Sequence, residues 1–222
     1  MNHPLTTIAR SLVAAATLSV AAASALAQGV TGDVAAGAKK AEMCVGCHGI
    51  PGYQNSFPEI HKVPMISGQT GPYIVNALKA YQKGERKHPS MRGIAGSLTE
   101  QDMADLAAYY ASHTGTPAPE TPKPASAKVA ALIEKGACIS CHGANFSKPI
   151  DPSYPKLGGQ HADYLFVALK SYTVEGNPVI GRSNGIMAGI AKQYSPAEMR
   201  EIAKYLASVQ GELSVKPQPR FK

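Results

Sequence analysis

Three stretches of the chain place apolar residues at helical spacing. Tyr73, Ala77, Leu78 and Tyr81 share one face between Pro72 and Gly84, residues suited to opening and closing a helix. Met103, Leu106, Ala107 and Tyr110 follow Thr99-Glu-Gln-Asp102 in the same rhythm. Met199, Ile202, Ala203 and Leu206 follow Ser195-Pro196-Ala-Glu198, a capping box with proline at the first helical position. No segment alternates long enough to predict a sheet, so the fold class is all-α. One run is different: Leu12 to Ala23 is apolar without a charge, preceded by Arg10 and followed by Ala25-Leu26-Ala27. It is shorter than the roughly 20 residues a membrane span needs, and its small-x-small end reads as a cleavage site. Residues 1–27 are therefore predicted to be a signal peptide, with export from the cytoplasm and a mature start at Gln28.

The remaining pattern occurs twice. Cys44-Val-Gly-Cys47-His48-Gly49 returns as Cys138-Ile-Ser-Cys141-His142-Gly143. Pro64 to Tyr81 aligns without a gap with Pro155 to Tyr172, matching Gly68-Gln69 to Gly159-Gln160 and Tyr73 to Tyr164. Met91-Arg-Gly93-Ile94-Ala95 pairs with Met187-Ala-Gly189-Ile190-Ala191, and Met103 and Tyr109 with Met199 and Tyr205. The shared order marks a tandem duplication. Pro117, Pro119, Pro122 and Pro124 favour an extended, semi-rigid spacer between the halves. The expected organisation is a first domain over 28–116, a Pro-rich linker over 117–127, a second domain over 128–211 and a tail over 212–222.

Composition narrows the chemistry. The 222 residues are 44% hydrophobic but only 6% aromatic, with no Trp. Each half is lean for a unit of its size, and a large buried cofactor would complete its core. The formal charge of +7 is too diffuse to indicate nucleic acid. All four cysteines fall in the two Cys-x-x-Cys-His motifs. Cysteines at i and i+3 share a helical face, where both thiols can add to the vinyl groups of one haem and the next histidine can reach its iron. A zinc ribbon would need its four ligands clustered, and these pairs are separated by a repeat. A redox dithiol needs neither the adjoining histidine nor a recurring methionine, and two local disulfides complete the alternatives. Two covalently bound haem c groups are predicted, on Cys44 and Cys47 and on Cys138 and Cys141, with His48 and His142 on the irons. Met91 and Met187, in matching blocks, are the candidate sixth ligands, since a thioether favours ferrous iron. His88 is the rival to Met91, without a counterpart in the second half. Met103 and Met199 read as core residues, and His61, His113 and His161 as surface or polar-contact residues. Pro64 and Pro155, at equivalent loop positions, are candidates to present a carbonyl to each proximal histidine.

On these motifs the chain resembles the class I c-type cytochromes, and more closely the dihaem cytochrome c4 group, over nearly all of the mature sequence. The resemblance implies two tandem cytochrome c domains, each with His/Met-ligated low-spin haem, close enough to exchange electrons. It implies a periplasmic electron carrier between a quinol-oxidising or dehydrogenase donor and a terminal oxidase, with no catalytic residues of its own. The alternative is the dihaem electron-transfer subunit of an oxidoreductase complex of the flavocytochrome c sulfide dehydrogenase type. The loop from Tyr53 to Lys62 departs from its partner in the second half, and loops near a haem edge often select partners. Charge is uneven: residues 28–116 carry 8 basic and 7 acidic side chains, residues 128–222 carry 12 and 7. Either the second half docks a more anionic partner or a membrane surface, or its lysines serve solubility alone.

Overall fold

The computed structural model describes residues 30–217, so the predicted signal peptide lies outside the described residues. The first half runs through α1 (Val34–Lys40), α2 (Glu42–His48), α3 (Gly71–Lys83), α4 (Pro89–Gly96) and α5 (Glu100–Ala111). The second repeats the order as α6 (Ala127–Lys135), α7 (Cys138–His142), α8 (Ala162–Ser171), α9 (Gly185–Ala191) and α10 (Pro196–Ser208). Local chemistry sets the ends. Thr99 and Ser195 close reciprocal capping boxes with Asp102 and Glu198. Pro72 sits in the first turn of α3, and Gly84 ends it with a left-handed φ of 73°.

In the first half, α5 packs against both α1 and α3. The α1 contact is close because Gly37 has no side chain: a Cβ there would stand 2.0 Å from the Asp105 carbonyl oxygen. Ile74, Leu106, Ala107 and Tyr110 form a small core with Ala41. In the second half α10 packs against α8 and α6, and the core is larger, centred on Phe146, Leu165, Phe166, Met199, Ile202 and Leu206. Met103 and Met199, read as core methionines, are 1% and 2% exposed.

Short strand pairs supplement the helices, which the all-α reading of the sequence had no alternation to reveal. β1 (Gln54–Asn55) and β2 (His61–Lys62) pair antiparallel within the first half. β3 (Arg86–Lys87) of the first half pairs antiparallel with β4 (Gly181–Arg182) of the second, with Arg86 opposite Arg182. Residues five positions before Met91 and Met187 thus face each other across the junction, as equivalent residues do about a local two-fold axis.

The loop that departs from the repeat also reaches across. Lys62 donates its backbone N–H to Asp163 Oδ2 at 3.1 Å, Lys170 Nζ lies 2.8 Å from Glu59 Oε1, and the His61 ring lies against Tyr164. The base of this loop is therefore a strap between the halves. The proline-rich connection follows the second half instead of standing clear of it. Pro119 O accepts from Asn145 Nδ2 at 3.1 Å and Lys123 O from the Tyr205 hydroxyl at 2.9 Å. Carbonyls without a helical partner are satisfied in this way. After α10 the chain returns to the first half, where Ser214 N–H donates to Ser67 O at 3.0 Å, while Glu212 pairs with Lys156 of the second half at 2.6 Å. Among the described residues no helix is long and apolar enough to cross a membrane.

Candidate functional site

Each half presents the same constellation. α2 and α7 carry the two Cys-x-x-Cys-His motifs, with the histidine as the last helical residue. His48 Nδ1 lies 2.9 Å from Pro64 O, and His142 Nδ1 lies 3.1 Å from Pro155 O. A carbonyl oxygen can only accept, so in both rings Nδ1 carries the proton and Nε2 keeps its lone pair. Burial holds both imidazoles below the usual histidine range, against the opposing pull of the proline carbonyls. Arg86 pushes His48 further the same way. Both rings are thus neutral bases with Nε2 available to a metal.

The four cysteines are unbridged. Burial raises the Cys44 and Cys138 thiols above their ordinary values, the opposite of what activates a redox dithiol. Among the described residues no cluster of histidine, cysteine and acidic side chains could hold a metal on protein ligands alone. A disulfide pair, a thioredoxin-like thiolate and a zinc ribbon each fail on one of these observations.

Met91 and Met187 occupy the same place, the third residue of a short helix. Asn184 caps α9 by accepting the Met187 N–H at 3.0 Å, and His88 caps α4 by accepting the Met91 N–H at 3.5 Å. His88 therefore has a counterpart after all. It stands where Asn184 stands, and its Nδ1 is engaged as a helix cap. Of the other histidines, His61 Nδ1 donates within its own turn to Glu59 O at 2.8 Å, and His113 Nδ1 meets Ser67 Oγ at 2.9 Å.

The sequence reading missed a second set of residues, at the junction of the halves. Arg86 donates to the Tyr73 hydroxyl at 3.2 Å and the Tyr164 hydroxyl at 2.6 Å, and Arg182 donates to Tyr164 at 3.1 Å. The Arg86 guanidinium lies 4.6 Å from the centre of the Tyr81 ring, and that of Arg182 lies 5.4 Å from the centre of the Tyr172 ring. Among the described residues no carboxylate pairs with either guanidinium, and Arg86 Nε is buried without a partner. Burial alone would raise the Tyr164 hydroxyl, yet Arg86 and then Arg182 pull it down to about 8. Two like charges sharing a tyrosine call for anions.

A haem brings two carboxylates, and two haems bring four. The donor set therefore fits the group that the Cys-x-x-Cys-His motifs imply: thiols for the porphyrin edge, a free Nε2 for each iron, and unpaired guanidiniums for acidic substituents. A signal was present in the sequence, because Arg86 and Arg182 each stand five residues before the repeated methionine. Their unlike flanks, Glu85 and Lys87 against Gly181 and Ser183, obscured it.

The cytochrome c family model matches residues 34–114 and again residues 126–210. Cytochrome c4 of Thiocapsa roseopersicina is 36% identical over 184 residues, spanning 79% of this chain and 92% of that protein. A thiosulfate dehydrogenase electron acceptor of Thiomonas intermedia is 30% identical over 203 residues, spanning 86% and 89%. The crystal structure of reduced recombinant cytochrome c4 from Pseudomonas stutzeri superposes with a TM-score of 0.63 at 28% identity, covering 81% of this chain and all of that one. With a doubled motif, a doubled helix order and a doubled family match, the chain belongs to the cytochrome c family, within its dihaem cytochrome c4 group, and carries two covalently bound haem c groups in electron transfer.

Proposed function

We propose that the protein is a periplasmic electron carrier in which His48 and Met91 bind the first iron and His142 and Met187 the second, with Cys44, Cys47, Cys138 and Cys141 forming the thioethers. The observation that carries this reading is the pair of imidazoles, each fixed by Pro64 or Pro155 in the tautomer that offers Nε2. When bound, each haem supplies a one-electron iron couple. The chain's part is to hold the ligand rings at fixed orientation, to exclude water from the cores, and to place cations at the junction. A fixed ligand set changes little between oxidation states, as fast electron exchange requires.

The proposed route runs from a quinol-oxidising or dehydrogenase donor to a terminal oxidase. Likeness to a thiosulfate dehydrogenase electron acceptor favours a dehydrogenase as one donor. The alternative, a dihaem subunit of a flavocytochrome c sulfide dehydrogenase type of complex, places the same electron transfer beside a partner's flavin. The five-charge excess of basic over acidic residues in 128–222 supports docking of that half on an anionic partner or membrane surface.

The test is reduction of the purified dihaem protein by candidate dehydrogenases, followed by reoxidation with membranes containing a terminal oxidase. A carrier passes electrons on both sides, with rates that fall as salt rises, and its reduced form does not bind carbon monoxide readily. Ready binding of carbon monoxide, or turnover of a small substrate by the protein alone, would overturn the reading.

A further inference from the structure

The junction contains a second, reciprocal device made from residues that the repeat matches. Gln69, 4% exposed, reaches from the first half to the second. Its Oε1 accepts the Lys156 N–H at 2.9 Å, and its Nε2 donates to Lys156 O at 3.1 Å. Gln160, also 4% exposed, does the mirror-image thing. Its Oε1 accepts the Met65 N–H at 3.0 Å, and its Nε2 donates to Met65 O at 2.9 Å. The backbone partners leave no ambiguity about which amide end is oxygen. Both glutamines follow a glycine of positive φ, 86° at Gly68 and 77° at Gly159. Gly68 N–H donates to Tyr110 O at 2.9 Å and Gly159 N–H to Leu206 O at 3.0 Å, hanging each turn from the last helix of its own half. Gly68 is also crowded, since a Cβ there would lie 2.4 Å from Glu212 O.

What the glutamines hold decides the consequence. Lys156 N–H belongs to the same peptide group as Pro155 C=O, the carbonyl that accepts from His142. Met65 N–H belongs to the same peptide group as Pro64 C=O, which accepts from His48. Each of these peptide groups is thus gripped at its N–H by a glutamine of the opposite half and at its oxygen by the histidine of its own half. Hydrogen bonds in such a chain polarise one another, so donation from the N–H strengthens the carbonyl as an acceptor. A stronger acceptor at Nδ1 makes the imidazole a more basic ligand and fixes its orientation.

We propose that Gln69 and Gln160 are positioning residues acting across the junction: Gln69 tunes the second haem through Pro155 and His142, and Gln160 tunes the first through Pro64 and His48. The proposal rests on His48 and His142 as iron ligands. A more electron-donating histidine favours the oxidised iron, so each glutamine lowers the potential of the haem in the other half. Severing the halves at this point would raise both.

The experiment uses the full dihaem protein and the near-isosteric variants Gln69→Met and Gln160→Met. Haem methyl resonances followed through a redox titration report the two midpoints separately. Gln69→Met is expected to shift the midpoint of the second haem upward, with the first moving less, and Gln160→Met to give the reverse. The ring Nδ1 proton of the opposite half's histidine should shift with it in the reduced, diamagnetic protein. An uncrossed pattern, equal shifts of both haems, or no shift would overturn the proposal while leaving the ligand assignment intact. That assignment is read independently from the wild-type oxidised spectrum before either variant is made. Should a variant fail to take up both haems, hydrogen exchange in the wild type decides the matter. The Met65 and Lys156 amides should exchange slowly and together, and rapid exchange at either would contradict the clasp.

Discussion

Replacing Gly37 by alanine tests the helix contact on which the first half is built. Gly37 lies inside α1, buried against α5, where a Cβ would sit 2.0 Å from Asp105 O and 2.7 Å from Tyr109 Cβ. Carbon and carbonyl oxygen ordinarily come no nearer than about 3.3 Å, so α1 would have to withdraw by roughly 1.3 Å. Backbone cannot swing aside as a side-chain tip can. Overpacking of this kind costs about 3 kcal/mol, at the upper end of its usual range. Alanine returns about 1 kcal/mol through its better helix propensity. The net loss of about 2 kcal/mol corresponds to a fall of roughly 4–8 °C in the melting temperature of a chain this long. The same withdrawal would strain the Asp33 N–H bond to Asp105 Oδ1, now 2.8 Å. Circular dichroism melts of the dihaem protein are the assay, with Gly96→Ala as control. Gly96 is also helical, at the end of α4, but a Cβ there meets nothing within 4 Å, so that variant should hold or gain stability. A Gly37→Ala protein melting at or above the wild type, or both variants moving alike, would refute the reasoning.

Other perturbations address charge and the tail. Asp105 accepts from the Asp33 N–H, Gln101 Nε2 and Lys40 Nζ, and the bond from Lys40, then that from Asp33, hold its carboxyl below the usual aspartate range. A depressed folded value contributes stability above the unfolded pKa of about 3.9 and loses it as pH falls through the folded one. The acid limb of a melting-temperature profile should therefore flatten in Asp105→Asn. Arg86→Met removes a cation that favours the electron-rich reduced state, so redox titration should show a lower midpoint, and an unchanged value would contradict the anion-pairing role. Deleting residues 212–222 removes the Glu212–Lys156 pair, the Ser214 bridge and the buried Leu213. Guanidinium unfolding should register a loss of about 2 kcal/mol from the leucine alone.

Much of this arrangement is visible in the chain before any fold is drawn. The cysteine motifs are self-announcing because their spacing is chemical, and the capping boxes at Thr99 and Ser195 work over four residues. Met103 and Met199 recur on an apolar helical face, which is why they read as core. Gln69 and Gln160 were also visible as matched residues, but a match within each half says nothing about what the other half presents. Their partners are 87 and 95 residues away and are backbone atoms, which carry no sequence signature. Arg86 and Arg182 stayed hidden for a related reason. Two-residue strands have no alternation to detect, and an arginine in a short loop looks like any solvated arginine until its neighbours prove to be tyrosines. His88 shows the opposite case, a residue whose reactive side chain invites a ligand reading while its position is that of a helix cap.

The most direct test of the account is near-infrared magnetic circular dichroism of the fully oxidised protein, which identifies the axial pair of each low-spin iron. Both irons are expected to show the histidine–thioether charge-transfer band, with Met91→Ala and Met187→Ala each abolishing half of its intensity. A band characteristic of two nitrogen ligands at either iron, or full intensity surviving either substitution, would contradict it.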